Sequence, residues 1–498
     1  MELKKLLREL DLGSSVAEFD TALDRYFIET EAFYALALDK ADIIAGEKGT
    51  GKTALFRVFR QRYTSIPELE HVEVIAGFNP AGNPVFQRLV QIDSMSEAGY
   101  VTVWKAYLLS LVGNWLLELY ESDQTKSMRD LDFMLLRVGL RSKDDSAETI
   151  FSKLVHLLSH WLKPKSAEVK FSMTDSGIPI IAPTLEFGTP EPTDAPPDLI
   201  PHEEALAMLN KALTEGNVTA WVVLDRLDEA FQGFPNIEVP ALRALLRTYL
   251  DLLAYPNIRL KLFVRNDLFR KVIQGGFVNL THVNARKIEI IWEEEDLLNL
   301  FCRRVRDSSD FVKDAELGDL SDKDMFDRIF PGQVDQGARK PTTWAWMMSR
   351  IRDGNGIKPP RNLIDLVAKA KEAQIRSEDR NARTYSPQSP IIEADSVRRA
   401  LRALSDQRVQ DTLLAEAADL APMIERFRDG KAEHNSSSLA ALLQVQEPAV
   451  RNTIKPLLEM GFLEETGSSY KVPMLYREGL AITQGKAFTA EPDMEEET

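Results

Sequence analysis

The sequence predicts an α/β fold built on a parallel sheet, and three observations predict it. Apolar strands alternate with amphipathic helical stretches along the first 300 residues. Those strands read as continuous apolar runs, as strands buried on both faces do. A glycine-rich loop joins one of them to a helix. With 498 residues, 44% of them hydrophobic and 28% charged, the chain has apolar material for a sizeable core, and a fibrous or wholly disordered protein is excluded.

The elements follow in order. Leu6, Leu7 and Leu10 have helical spacing, and the charges of Met1–Leu10 make it a poor signal peptide. Asp42–Ala45 is the first strand, Gly46–Gly51 the loop, and Leu55, Phe56 and Phe59 mark one face of the following helix. His71–Ala76 is the next strand. Residues 99–161 read as helical; the apolar stretch Ala106–Tyr120 is too short to span a bilayer. Eight of the 25 prolines fall in residues 164–201, where Val169–Met173 and Ile178–Ile181 flank Asp175-Ser176-Gly177. This predicts an inserted β-hairpin and a Pro-rich connector. His202–Thr214 resumes the helical pattern, followed by strand Ala220–Leu224, helix Val239–Leu253 and strands Arg259–Val264 and Arg286–Trp292. Residues 1–305 thus form the core, 306–373 a helical lid, 374–392 a polar linker, 393–484 a tail domain and 485–498 an acidic tail.

The chemistry sits at strand ends. Gly46-Glu47-Lys48-Gly49-Thr50-Gly51-Lys52-Thr53 fits G-x-x-x-x-G-K-[ST] at every specified position. Glycines let the backbone wrap a phosphate, successive N–H groups make an anion nest, and the helix N-terminus adds its dipole. Lys52 is expected on the β and γ phosphates and the Thr53 hydroxyl on Mg²⁺. Asp225 ends an apolar strand, where its carboxylate can hold Mg²⁺ through water, and Asp228 or Glu229 can orient the attacking water. Asn266 and Arg265, at the end of the following strand, can touch that water and a phosphate; alternatively Arg265 pairs locally with Asp267. Arg361, opening a helix after Pro359-Pro360, either reaches the nucleotide from the lid or is a solvated helix-start arginine. Arg303, Arg304 and Arg352 read as surface arginines rather than fingers acting in trans.

Together these residues resemble the P-loop ATPases of the AAA+/STAND group. Gly46–Thr53 looks like Walker A, and Val222–Glu229 like the STAND form of Walker B, an apolar run, an Asp, and an Asp-Glu pair three residues on. Phe263–Asp267 sits at the place of sensor 1 and Lys358–Leu363 at that of the sensor 2 arginine. One departure is that Asp225 is followed by Arg226 instead of Glu. Tyr26–Ala32, Trp344–Gly356 and Val472–Arg477 resemble most closely an uncharacterised bacterial family of P-loop ATPases, several encoded beside anti-phage defence genes. The resemblance implies a parallel-sheet, AAA+-like P-loop NTPase core with a helical lid, and ATP rather than GTP.

Two helices and a short hairpin within residues 437–472 make the tail domain winged-helix-like. Such domains often read DNA. Residues 396–480, however, hold 11 Lys+Arg against 12 Asp+Glu, and the second helix offers only Arg451 and Lys455. DNA is therefore an electrostatically weak partner, and a protein-contact or autoinhibitory role is favoured. The net charge of −16 points the same way. His156 and His160 lack the Glu of a zinc-binding H-E-x-x-H and read as ordinary helix residues; Cys302, the single cysteine, reads as a buried thiol. The expectation is a cytoplasmic, Mg-ATP-driven switch that signals to an effector or regulatory protein and can oligomerise on ATP. The alternatives are a DNA-binding regulator that hydrolyses little and a scaffold holding a structural nucleotide.

Overall fold

A computed structural model describes residues 1–77, 96–141, 172–173, 179–180, 201–227, 235–274, 276–415, 417 and 419–488. The chain divides into two compact units. One comprises Met1–Ile28, Glu47–Ala54 and Ile291–Thr498; the other comprises Glu29–Gly46 and Leu55–Ile290.

In chain order, the elements used below are α1 (Leu3–Glu9), β1 (Ile43–Gly46), α2 (Lys52–Arg62), β2 (Val72–Ala76), α3 (Glu97–Leu119), α4 (Lys126–Arg137), β3 (Ser172–Met173), β4 (Pro179–Ile180), α5 (His202–Glu215), β5 (Thr219–Leu224), α6 (Pro235–Leu252), β6 (Ile258–Arg265), α7 (Asn266–Ile273) and β7 (Lys287–Glu289). They continue with α8 (Glu294–Asp307), α9 (Thr343–Ile351), α10 (Pro360–Glu378), α11 (Ala394–Arg408), β8 (Lys431–His434), α12 (Ser436–Leu443), α13 (Val450–Glu459), β9 (Glu464–Thr466), β10 (Ser469–Lys471) and β11 (Thr483–Lys486).

The sheet unit carries five parallel strands in the order β2-β5-β6-β1-β7. Its apolar runs are buried as expected: β1 is buried throughout and β5 at every residue after Thr219. Trp104, Leu108 and Leu116 of α3, Leu209 of α5 and Leu245 of α6 join Val222 and Leu260 in one core. The α/β parallel-sheet P-loop core expected from the sequence is therefore present. Helix α6 begins at Pro235, four residues earlier than the periodicity suggested, with Pro240 in its interior. Strand β7 is confined to three residues. The backbones of β3 and β4 pair antiparallel, Ser172 with Ile180 and Met173 with Pro179. The rest of the expected insertion, with His156 and His160, lies outside the described residues, as does the acidic tail beyond residue 488.

The helical unit is built around α1, α8–α11 and a four-stranded sheet of order β11-β8-β10-β9. Leu6, Leu7 and Leu10 are fully buried. The two helices and hairpin expected at the tail are α12, α13 and β9–β10, and β8 pairs antiparallel with β10 ahead of them. Two expectations need correction. The segment marked as a polar linker begins inside α10 and ends on Ile391 and Ile392, both fully buried, because those side chains pack with the core of this unit. Arg304 is no surface arginine. It is 4% exposed, ion-paired with Asp20 at 3.0 Å and stacked over the Tyr26 ring.

Among the described residues no helix is long and apolar enough to cross a membrane.

Candidate functional site

Within the sheet unit, β1, β5 and β6 run parallel, so their C-terminal ends share one edge. Gly46 is in register with Arg265 and Leu224 with Leu262. Strand β6 thus lies between the end of β1, which leads into the glycine-rich loop, and the end of β5, which leads into Asp225. Two strand spacings, about 10 Å, separate these exits. Asp225 is half-buried, and Arg226 after it turns the chain with φ of 56°. Asp228 and Glu229, the two candidates for activating water, lie outside the described residues.

At the end of β6 the local alternative is realised. Arg265 Nε and NH2 donate to the two carboxylate oxygens of Asp267 at 3.0 and 2.8 Å. Burial opposes the charge on Asp267, but Arg265 outweighs it and holds the carboxyl below its ordinary value. Arg265 is thus occupied by Asp267 rather than presented alone. Asn266 is the first residue of α7 rather than part of the strand, and Arg265 precedes it as N-cap.

The loop itself is described within the helical unit. Gly49 and Gly51 have φ of 78° and 99°, the left-handed region that favours glycine. Thr50 is buried; its hydroxyl donates to the Glu47 carbonyl at 2.8 Å. Lys52 Nζ folds back to donate to that same carbonyl at 3.0 Å. Thr53, the second residue of α2, is half-buried.

Three further groups fix the loop. Trp292 Nε1 donates to the Thr50 carbonyl at 2.8 Å, while its ring packs on the buried cluster Ile28, Leu300 and Ile364. A Cβ added to Gly49 would stand 3.3 Å from both Pro359 Cβ and Arg361 Cβ. Arg361, in the first turn of α10, is thus set against the loop, and Pro359 N-caps that helix. Lys358 pairs with Glu294 at 2.7 Å, tying the approach to α10 to the start of α8. Nearby, Asp353 is drawn up to about 6 by burial, with Glu47 adding to the rise and the N–H groups of Ile357 and Asn355 opposing it. Sequence reading missed Trp292, Pro359 and Asp353. The Pro-Pro pair was a signal for a fixed entry into α10, whereas nothing in the pattern marks Trp292.

The other expected arginines are engaged elsewhere. Arg303 donates to the Phe27 carbonyl at 3.0 Å, and Arg352 to Glu464. Cys302 is fully buried; burial pushes its thiol up to about 12. Among the described residues no group of three or more His, Cys, Asp or Glu side chains could hold a metal ion.

No family model matches the chain. It is 21% identical over 315 residues to the putative transposon gamma-delta 80.3 kDa protein of Escherichia coli (strain K12), a match covering 61% of this chain. The match takes in only 41% of that protein. Among solved structures it is similar to the Aeropyrum pernix ORC2 protein in ADPNP-ADP complexes, with TM-score 0.39, 14% identity and 91% and 93% of the two chains covered. It is also similar to the Aeropyrum pernix ORC1 protein in complex with DNA, with TM-score 0.33, 14% identity and 90% and 89% covered.

Proposed function

We propose that the chain binds Mg-ATP in the Gly46–Thr53 loop, hydrolyses it, and passes the nucleotide state to a partner protein. One observation carries this reading. A complete G-x-x-x-x-G-K-T loop, with left-handed glycines at 49 and 51, joins a central parallel strand to a helix N-terminus. Asp225 leaves the same sheet edge two strands away.

Loop N–H groups cradle the phosphates, and Lys52, by leaving the Glu47 carbonyl, neutralises the terminal ones. The Thr53 hydroxyl and the Asp225 carboxylate are the hard oxygen donors that suit Mg²⁺, which would neutralise phosphate charge. Glu229, or Asp228, accepts a hydrogen bond from the attacking water, and Asn266 orients it. Arg361 reads the phosphates from α10. The effector chemistry belongs to the partner, in keeping with the resemblance to ATPases encoded beside anti-phage genes, and nucleotide-dependent self-association is part of this reading.

The strand–helix–helix–hairpin at β8–β10 supports a second reading, nucleotide-dependent DNA binding. Arg451 and Lys455 are exposed on α13, but Glu465 and Glu459 stand 3.7 and 3.8 Å from them, a poor footprint for a phosphate backbone.

The test is phosphate release from Mg-ATP, with Lys52→Ala and Glu229→Gln in parallel and ATP affinity measured for each. Expected are turnover by the parent, lost binding in Lys52→Ala, and binding without turnover in Glu229→Gln. Absence of nucleotide binding by the parent refutes the reading. Normal turnover by Glu229→Gln removes that residue's role, and tight, salt-sensitive binding to duplex DNA would favour the second reading.

A further inference from the structure

Residues 352–361, the connection from α9 together with the first two residues of α10, touch the phosphate loop at one end and the tail domain at the other, and all of these parts lie within one unit. At the loop end, Pro359 and Arg361 stand against Gly49 so closely that a Cβ there would lie 3.3 Å from each, a tight contact. At the far end four hydrogen bonds reach the end of α13, the turn after it and the start of β9. Gly354 N donates to the Gly461 carbonyl at 2.7 Å, Asn355 Nδ2 to the Glu459 carbonyl at 3.2 Å, and Arg352 NH2 to both Glu464 oxygens at 3.1 Å. The fit is close. A Cβ on Gly354 would collide with the Leu463 carbonyl, and one on Gly461 would meet the Asp353 carboxylate at 3.0 Å.

The segment between these ends is stiff. The Asp353 carboxylate accepts from the N–H groups of Asn355 and Ile357 at 3.0 and 2.9 Å, closing a turn on itself. Pro359 and Pro360 fix φ at the other end. Lys358 is tied to Glu294, and Asn362 Nδ2 donates back to the Ile351 carbonyl at 2.8 Å. Such a segment moves as a body; it does not absorb a displacement along its length.

We propose that residues 352–361 are a two-ended positioning strap that couples the occupancy of the phosphate loop to the turn at Glu459–Glu464 and its hairpin β9–β10. A shift of the loop at Gly49 presses on Pro359 and Arg361, and the strap delivers it to Gly461. This rests on the nucleotide reading of the loop and supplies the route by which that state leaves it.

The experiment is amide hydrogen exchange on the full chain, with and without Mg²⁺ and the non-hydrolysable analogue AMPPNP, followed over residues 459–471. In the parent, bound AMPPNP is expected to change exchange there by about fivefold, the scale of one net hydrogen bond. Gly354→Ala should bind AMPPNP with near-parental affinity yet lose that change. Asn355→Ala, which removes one side-chain bond and keeps the backbone fit, should reduce it, and so serves if Gly354→Ala fails to fold. The proposal is overturned if AMPPNP binds the parent without altering residues 459–471, or if the change persists undiminished in both variants. Failure of AMPPNP to bind the parent overturns this proposal and the nucleotide reading together, which separates the two failures.

Discussion

Asp42 is a buried charge in the sheet unit with three side-chain partners. At 1% exposure it accepts from Tyr249 Oη at 2.9 Å, from Lys261 Nζ at 2.7 Å and from Arg286 through Nε and NH2. Lys261 is fully buried, lies 3.9 Å over the Trp221 ring, and has Asp39 at 2.6 Å as its second anion. Asp42→Ala strips the Tyr249 hydroxyl of its acceptor and leaves the Lys261 ammonium with Asp39 as its anion and the Ala41 carbonyl at 3.0 Å. Breaking a buried pair from one side costs about 3–5 kcal/mol, and the surviving Asp39 contact places this case near 3. Lys261→Met keeps apolar volume over Trp221 and leaves Asp42 paired with Arg286, so about 1–2 kcal/mol is expected. Urea unfolding followed by tryptophan fluorescence ranks the two. Burial opposes the Asp42 charge, yet Arg286 and Lys261 lower its pKa. The stabilisation is therefore fully present above the unfolded value of about 3.9 and is lost as pH falls through the lower folded one. The gap between parent and Asp42→Ala should be flat from pH 5 to 8 and close under acid conditions. A loss under about 1 kcal/mol in Asp42→Ala, or a larger one in Lys261→Met, refutes the reasoning.

Three more outcomes are expected. His202 is buried, its Nε2 has no hydrogen-bond partner among the described residues, and burial with the Lys105 charge holds its pKa down to about 4. Its contribution is present above the unfolded value near 6.5 and is lost as pH falls toward 4, on the order of 3 kcal/mol. Melting curves of His202→Leu should show less loss across that window than the parent. The Cys302 thiol should resist a disulfide-exchange reagent at pH 8 in the native protein and react fully in denaturant; rapid native labelling would contradict its burial. Gly49→Ala places a Cβ at positive φ against two side chains, at about 1–2 kcal/mol of backbone strain; relief by leaving this loop shape should weaken ATP binding about 5–30-fold, and the strain that remains should lower the melting temperature. Unaltered affinity would mean that this loop shape is not the one that binds.

The parallel core was legible because each strand is a continuous apolar run and the loop motif is local in sequence. Covalent spacing alone placed Gly46–Thr53 between strand and helix. Side-chain engagement was less legible. Arg304 looks like any basic residue of an amphipathic helix, and its burial depends on Asp20 and Tyr26, some 280 residues away. Trp292 meets Thr50 across 242 positions, a pairing no periodicity encodes. The local pair Arg265–Asp267 was foreseeable because two residues at a strand end are always within reach. The polar composition of 374–392 concealed Ile391 and Ile392, since two apolar residues suffice to pin a segment that otherwise reads as solvated.

The order β11-β8-β10-β9 leaves β11 and β9 as the two edges of the tail sheet. An open edge offers N–H and C=O groups to any strand that arrives, including one from another copy of the chain. The β9 edge is three residues long, and two of them are Glu464 and Glu465. Short length and adjacent carboxylates make it a poor template for strand addition. The hairpin side of the tail sheet thus resists backbone pairing, which leaves recognition along that edge to side chains.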